Sequence, residues 1–439
     1  MKRSLNVLVF GPVDKAEALS DQLEGLGILC RLIREDSPQA QKPRLWTAGI
    51  IFAENQEEAQ LGLESVAKFS ISRIPHIVVC PTSLPENDLM DALVRAPAPA
   101  VQIASRVRAL SRLHSMEEVA RRRLKVTAMY GERAGIHPEP SETSHNVLYV
   151  GEASPRFMAL QHALSMANTE TVAAFSSYSA FDYLHERAFD AVVLNALEKR
   201  DTAFTISSAM RRNARLYHTP VLLLSDDESR ESVEEAFARG VSDILPPTAD
   251  DDEIRDRVLS LATERRRRRD AKAALESCRD PRTLDVDTGL FQPGFMTSHI
   301  QDLLNASNSN DFAFSLCALD VSVPTGTDCP DETSTEKSRR QFAAMLRHLL
   351  RSEDAAARLN DTTFIAVLPF TGHEGVDSVA SRVSAIAECT AFESSDPLKP
   401  FRLSVVTSTV ETKMDETAEA LIERAVRRLR DQVGLSAQA

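Results

Sequence analysis

Short, nearly all-apolar segments alternate with amphipathic ones through the first 262 residues, and the whole alternation occurs twice. The first pass gives strands at Leu5–Phe10, Gly49–Ala53 and His76–Cys80, a helical pattern from near Lys15, and a closing helix over Val101–Leu110. The second gives Asn146–Val150, Phe189–Asn195 and Pro220–Ser225, a helix ending at Gly240, a short strand Val241–Leu245 and a last helix. Strands this uniformly apolar need cover on both faces, so each pass predicts a parallel sheet between helices. A repeat of about 120–140 residues marks a duplicated domain and not a solenoid.

The boundaries follow from the pattern: 1–134 for the first copy, a polar Pro-containing linker at 135–145, 146–279 for the second copy with an extended last helix, and 280–439 for a third domain. The 439 residues suit about three domains. A net charge of −13 argues against nucleic acid or an anionic membrane as a general partner. Apolar runs of 4 to 7 residues are too short to cross a bilayer. The six cysteines are scattered without a C-x-x-C pair, which predicts reduced thiols in a cytoplasmic protein and no metal site. The basic run Glu264–Asp270 reads first as a solvated helix leaving the second copy, and second as a patch for an anionic partner.

The third domain opens with Asp285-Val-Asp-Thr-Gly-Leu290. A helix follows, then the strand Phe314–Asp320 and an amphipathic helix ending at Arg351, with Phe342, Leu346, Leu349 and Leu350 on one stripe. Next come a loop, the buried strand Thr363–Pro369, a last strand over Phe401–Val406 and a closing helix over Leu421–Leu429. That order predicts an α+β domain with helices on a mainly antiparallel sheet. The fold class is thus α/β and α+β: two doubly wound parallel sheets, then the third domain.

These residues resemble the GGDEF domain of diguanylate cyclases. There a hairpin reading R-Y-G-G-[DE]-E-F joins two strands, and an Arg-x-x-Asp motif before it binds the product, cyclic di-GMP. In that register Asn360 and Asp361 occupy the glycine slots, Thr362 and Thr363 the acidic ones, and only Arg358, Phe364 and Pro369 survive. Nine residues before the first glycine slot, the product motif is intact as Arg351 and Asp354, and Arg382 stands where the family supplies a second arginine. The tetrapeptide alone means little, since the chain contains Arg-x-x-Asp six times. Position singles out Arg351; Arg358 with Asp361 is the competitor, overlapping the hairpin.

Both repeated copies resemble the receiver domain of response regulators, which needs an acidic pair for Mg²⁺, an acceptor Asp, a Ser/Thr and a Lys. The first copy offers Gly11–Pro12, Ala53, Cys80 and Ala96 in those slots, with Glu54 beside the vacant acceptor as a possible mimic of phosphoaspartate. The second offers Gly151–Glu152, Asn195, Ser225 and Pro246 or Pro247. Ala53 and Asn195 are therefore vacant phosphoacceptor positions, and the copies read as folded dimerisation modules. The whole resemblance is to PleD-type receiver–receiver–GGDEF regulators.

Joining two GTP molecules needs paired carboxylates around Mg²⁺ and glycines that let phosphate approach the backbone. Asp320 is the one carboxylate left on its strand, and Thr325–Ser334 replaces the family's guanine pocket. No catalytic residue and no cofactor are expected. Guanine edges suit an Arg fork and a carboxylate acceptor, so cyclic di-GMP is expected at Arg351, Asp354 and Arg382. Six cations between residues 337 and 358, against Glu353 and Asp354, favour a ligand with two phosphates. The resemblance implies a non-enzymatic effector: an adaptor that recruits proteins in cell-cycle signalling, including regulated proteolysis at the cell pole, and that forms a homodimer through its receivers. The other class left open is a weak cyclase or GTP-binding regulator using the altered pocket.

Overall fold

The computed structural model describes residues 5–33, 46–70, 73–82, 84–85, 87–131, 144–197, 199–227, 229–246, 248–310, 314–324, 332–393 and 400–436. They form two compact units: one from Ser4–His114 with Glu139–Asp270, the other from Ser115–Pro138 with Ala271–Ala439.

The first unit holds both repeated copies except the ends of their last helices, Ser115–Ala128 and Ala271–Ser277, which belong to the other unit. In the first, β1 (Leu5–Phe10), α1 (Val13–Gly25), β2 (Ile28–Ile33), β3 (Ala48–Phe52), α2 (Gln56–Phe69), β4 (His76–Cys80), β5 (Ala92–Arg95) and α3 (Ala100–Ala128) follow in order. The sheet is wholly parallel, β2-β1-β3-β4-β5. The period-2 geometry of β1 sends Val7 and Val9 to one core, with Leu19, Leu23, Ile103 and Val107, and Leu8 to another with Leu63 and Val66. Asn55 caps α2 by accepting the Glu58 N–H at 3.0 Å.

The second copy repeats the plan with β6 (His145–Val150), α4 (Pro155–Met166), β7 (Thr169–Ala174), α5 (Ser177–Glu186), β8 (Ala191–Asn195), α6 (Arg200–Arg212), β9 (Val221–Leu224), α7 (Arg230–Ala238), β10 (Asp243–Leu245) and α8 (Asp251–Ser277). Its order, β7-β6-β8-β9-β10, is that of the first sheet. Three strands, β2, β5 and β7, were not expected from sequence, and the helix over Val101–Leu110 runs on to Ala128. Between β4 and β5 the described residues of 81–91 form turns where the second copy has α7. The linker at 135–143 lies outside the described residues. Within this unit the copies meet through buried polar groups: the Gln102 amide donates to Asp243, which Arg257 of the same copy also pairs at 3.0 Å, and Arg106 pairs with Glu264 at 2.9 Å.

The other unit is α+β, with α9 (Pro293–Asn310), β11 (Phe314–Ser322), α10 (Glu332–Leu349), β12 (Ala355–Arg358), β13 (Thr363–Pro369), α11 (His373–Cys389), β14 (Ser404–Glu411) and α12 (Ala418–Ser436). Its sheet is antiparallel throughout, β12-β13-β11-β14. The last strand differs from the expected Phe401–Val406: Phe401 makes only a bridge to Phe392, and pairing with β11 begins at Ser404 and continues to Glu411. Helix α10 stops at Leu349, so Arg351 belongs to the turn after it. The expected stripe holds: Phe342 and Leu346 are fully buried, with Leu349 and Leu350 packed partly against the same core.

Candidate functional site

Three places carry the chemistry that the sequence points to: the β12–β13 hairpin, the turn after α10, and the strand ends of the two parallel sheets.

The hairpin closes on itself. Arg358 pairs with Phe364 across β12 and β13, and the Leu359 N–H donates to the Thr363 carbonyl at 2.8 Å. The Asn360 side-chain oxygen accepts the backbone N–H of Thr362 at 3.0 Å and of Thr363 at 2.9 Å. This is the local bonding that makes Asn a turn residue. It occupies donors that a glycine loop would turn towards a phosphate. Thr363 is buried opposite Asp320 of β11, and Val406 flanks Asp320 on its other side. Asp320 therefore has no carboxylate beside it in the sheet register.

Next to the hairpin is an open cleft of about 420 Å³, lined by Asp285, Asp287, Glu336, Arg340, Arg358 and Asp361 among others. Arg358 donates to both carboxylate oxygens of Glu336, at 3.0 and 3.3 Å, and reaches Asp361 at 3.3 Å. That guanidinium is the main reason Glu336 sits below the ordinary glutamate range. Arg340 pairs with Asp287 at 3.0 Å, and Asp285 accepts the Thr288 N–H and hydroxyl. The competitor motif, Arg358 and Asp361, is thus bound up in the cleft wall. Among the described residues no cluster of three or more His, Cys, Asp or Glu could hold a metal ion. The segment Thr325–Asp331, expected to replace the guanine pocket, lies outside the described residues.

The turn after α10 is built on Asp354. Its carboxylate accepts the Arg351 N–H at 3.0 Å, and its own N–H donates to the Arg351 carbonyl at 3.1 Å. Arg382, exposed on α11, donates to the Leu349 carbonyl at 2.8 Å, which brings it to the end of α10 that Arg351 follows by two residues. The spacing in the sequence predicts Arg351 and Asp354 on one side of the turn, with Arg351 facing solvent. Arg351 is half-buried, but Asp354 is only 7% exposed and faces inward beside the fully buried Glu353. Burial first, and Glu353 second, push Asp354 up to about 7, against the opposing Arg351 N–H and the Arg351 and Arg123 cations.

The cationic window also looks different in three dimensions. Glu336 faces Arg339 and Arg358, Asp287 faces Arg340, Glu276 faces Arg347 and Glu393 faces Lys337. Folding brings acids from outside residues 337–358 against most of these cations, so the linear count overstated the local positive field.

At the strand ends expected to carry receiver chemistry, the glycine positions leave no room for an acidic side chain. Gly11 has φ +149°, and a Cβ there would lie 2.6 Å from the Phe52 Cβ, so no acidic side chain fits. Ala53 is buried, and its neighbour Glu54 pairs with Lys15. In the second copy a Cβ on Gly151 would lie 2.6 Å from the Asn195 Cβ and 3.0 Å from the Tyr149 hydroxyl. Asn195 donates to that hydroxyl at 3.1 Å, which ties the acceptor position to a buried ring. Ser225 is buried, its hydroxyl accepting the Asp227 N–H at 3.3 Å; Pro246 is half-buried and Pro247 lies outside the described residues.

Sequence reasoning missed Tyr149 and Arg123. Tyr149 gave no signal beyond its place in an apolar strand. Arg123 had one: with Met116, Val119, Ala120 and Val126 it falls on the buried stripe of α3, inside the run Arg121–Arg123 that looks solvated in a linear reading.

Comparison with known proteins agrees with this layout. Residues 283–432 match the family model described as diguanylate cyclase, GGDEF domain. The response regulator PleD of Caulobacter vibrioides is 22% identical over 347 residues, 77% of this chain and 75% of PleD. In this chain two parallel receiver-like sheets precede the segment that matches the GGDEF family model. Among solved structures, the FimX GGDEF domain from Pseudomonas aeruginosa is 16% identical, covering 34% of this chain and 93% of that chain at a TM-score of 0.32. The GGDEF domain of DgcB from Caulobacter crescentus in complex with c-di-GMP is also 16% identical, covering 34% of this chain and 86% of that one at a TM-score of 0.32. Among the described residues no helix is long and apolar enough to cross a membrane.

Proposed function

We propose that the chain is a non-catalytic receptor for cyclic di-GMP that acts as an adaptor, its affinity for protein partners set by the nucleotide. The observation that carries this reading is the contrast between two loops of one domain. At the hairpin, the Asn360 carboxamide takes up the Thr362 and Thr363 N–H groups, and threonines stand in the acidic slots. At the turn after α10, Arg351 and Asp354 keep the family's spacing, and Arg382 is brought beside them.

Each half has a chemical reason. A cyclase must bind Mg²⁺–triphosphate; here Asp320 lacks a partner carboxylate, and the neighbouring cleft has four acids, Asp285, Asp287, Glu336 and Asp361, against Arg340 and Arg358. A triphosphate would meet net negative charge there. Product recognition needs an Arg fork for guanine O6 and N7 and an acceptor for N1–H and N2–H. Arg351 and Arg382 supply the first, and the Asp354 carboxylate oxygen not bonded to the Arg351 N–H supplies the second.

Within PleD-type regulators, filled receivers, an intact Arg351–Asp354 motif and Asn360–Thr363 in the hairpin look like PopA, a cyclic di-GMP effector. That likeness supports recruitment of proteins in cell-cycle signalling, regulated proteolysis at the cell pole included, and a cytoplasmic homodimer through the receiver copies. Calorimetric titration of cyclic di-GMP into the wild type and Arg351→Ala, beside a labelled-GTP turnover assay, tests the reading. Saturable binding lost in the variant, with no product from GTP, supports it; product above a no-enzyme control supports the weak-cyclase alternative.

A further inference from the structure

Arg123 is 2% exposed and is one of the largest fully buried side chains among the described residues. Its guanidinium donates to three consecutive carbonyl oxygens, those of Ser352 at 3.3 Å, Glu353 at 2.6 Å and Asp354 at 3.2 Å. Those carbonyls fall between the end of α10 at Leu349 and the start of β12 at Ala355, where neither helix nor sheet ladder serves them. On another side the guanidinium lies 5.5 Å from the centre of the Phe291 ring. Phe291 is itself fixed: its N–H donates to the Ala356 carbonyl at 3.0 Å, and its ring stacks on Phe295 at 4.7 Å. His299, fully buried with neither ring nitrogen hydrogen-bonded, and Arg279 also face this cation.

We infer that Arg123 is a positioning residue for the nucleotide: without touching the ligand, it sets the shape of the Arg351–Asp354 turn that must grip a guanine. This rests on reading that turn as the cyclic di-GMP site. The geometry asks for a planar fork. A guanidinium can serve three carbonyls fanned around it, whereas an ammonium is a compact point charge on a flexible stem. Without the fork, three buried carbonyls must find water, and they can do so only by opening the turn. Opening it separates the Asp354 carboxylate from the Arg351 N–H and changes how the two side chains stand to each other. Bidentate recognition tolerates displacements of only about half an ångström, so a loosened turn should bind poorly even with Arg351 and Asp354 present.

The test uses the full chain as wild type, Arg123→Lys, Arg123→Gln and Arg351→Ala. Cyclic di-GMP affinity is measured by calorimetry, and amide exchange is followed over residues 351–355. If the gripping geometry falls to about a tenth of the population in Arg123→Gln, apparent affinity falls about tenfold, with a smaller loss in Arg123→Lys. Exchange should rise at the Arg351 and Asp354 amides while β11 and β13 keep wild-type rates, and saturating ligand should restore protection. Wild-type affinity in both Arg123 variants, or faster exchange spread over the whole domain, would overturn the inference. Should Arg123→Gln not fold, Arg123→Lys decides it alone. Failure of the wild type to bind, or unchanged binding by Arg351→Ala, removes the site reading itself, and the ligand role of Arg123 with it.

Discussion

The side-chain oxygen of Asn360 accepts the backbone N–H of Thr363 at 2.9 Å, so the hairpin that would cradle a phosphate in a cyclase satisfies its own donor. The same oxygen holds Thr362 N–H at 3.0 Å. Incubation with GTP and Mg²⁺ or Mn²⁺ should therefore give no linear or cyclic product above a no-enzyme control. Asn360→Gly frees both donors, yet it too should stay inactive, because Asp320 still lacks a second carboxylate. It should cost about 1–2 kcal/mol of stability through two lost hydrogen bonds and added backbone freedom, measured by denaturant unfolding. Turnover by either protein would refute the argument.

The receiver copies should not take up phosphate. Asn195 cannot accept a phosphoryl group, and its amide is committed to the Tyr149 hydroxyl at 3.1 Å. Asn195→Asp restores a carboxylate but no Mg²⁺ site, since Gly151 has no room for a side chain and Glu152 is paired with Lys199 at 3.3 Å. Intact-mass measurement after treatment with acetyl phosphate and Mg²⁺ should show no added phosphate on the wild type or on Asn195→Asp. A labelled wild-type chain would direct attention to Glu54.

Much of this was legible in the sequence because the strong signals are the central strands. β1, β3, β4, β6, β8 and β9 are nearly continuous apolar runs, and both parallel sheets follow from them. The strands that escaped, β2, β5 and β7, all lie at sheet edges. One face or one side of an edge strand is relieved of burial, so Leu29 in β2 and Glu170 in β7 are exposed and the apolar pattern breaks up. The turn after α10 was located by position, but the inward orientation of Asp354 was not, because it depends on long-range partners. Glu336, Asp287, Glu276 and Glu393 are likewise distant in sequence or lie outside the window, and a linear charge count cannot see them.

Cyclic di-GMP affinity should rise with pH between about 6 and 8. Asp354 is held up to about 7 by burial and by Glu353, with Arg351 and Arg123 opposing. Its ionised form is the stronger acceptor for guanine N–H donors, because protonation turns one of its oxygens into a donor. The sign for stability is the reverse. The folded value exceeds the unfolded value of about 3.9, so the Asp354 contribution is full below about 4 and is lost as pH rises through about 7. Asp354→Asn should flatten both trends, read by calorimetry and by denaturation across the same pH series. An affinity that falls with rising pH would contradict an ionised Asp354 as the guanine acceptor.

Arg351 and Arg358 both begin an Arg-x-x-Asp motif, and the structure places them in different surroundings. Arg351 stands at the turn beside Arg382, with its backbone N–H on Asp354. Removing its side chain deletes one guanine fork, worth roughly 1–3 kcal/mol, or about 5- to 150-fold in affinity. Stability should hardly change, by less than about 0.5 kcal/mol, because the N–H bond that shapes the turn is kept. Arg358 is mostly buried and ties Glu336, Asp361 and the Asn360 carbonyl together. Arg358→Ala strands Glu336 without its main partner, so it should cost about 1–2 kcal/mol of stability while binding stays within about threefold of wild type. Affinity and unfolding measured on both variants should separate the two motifs. Equal losses of affinity, or a stable Arg358→Ala with weakened binding, would place the nucleotide in the hairpin cleft and not on the turn after α10.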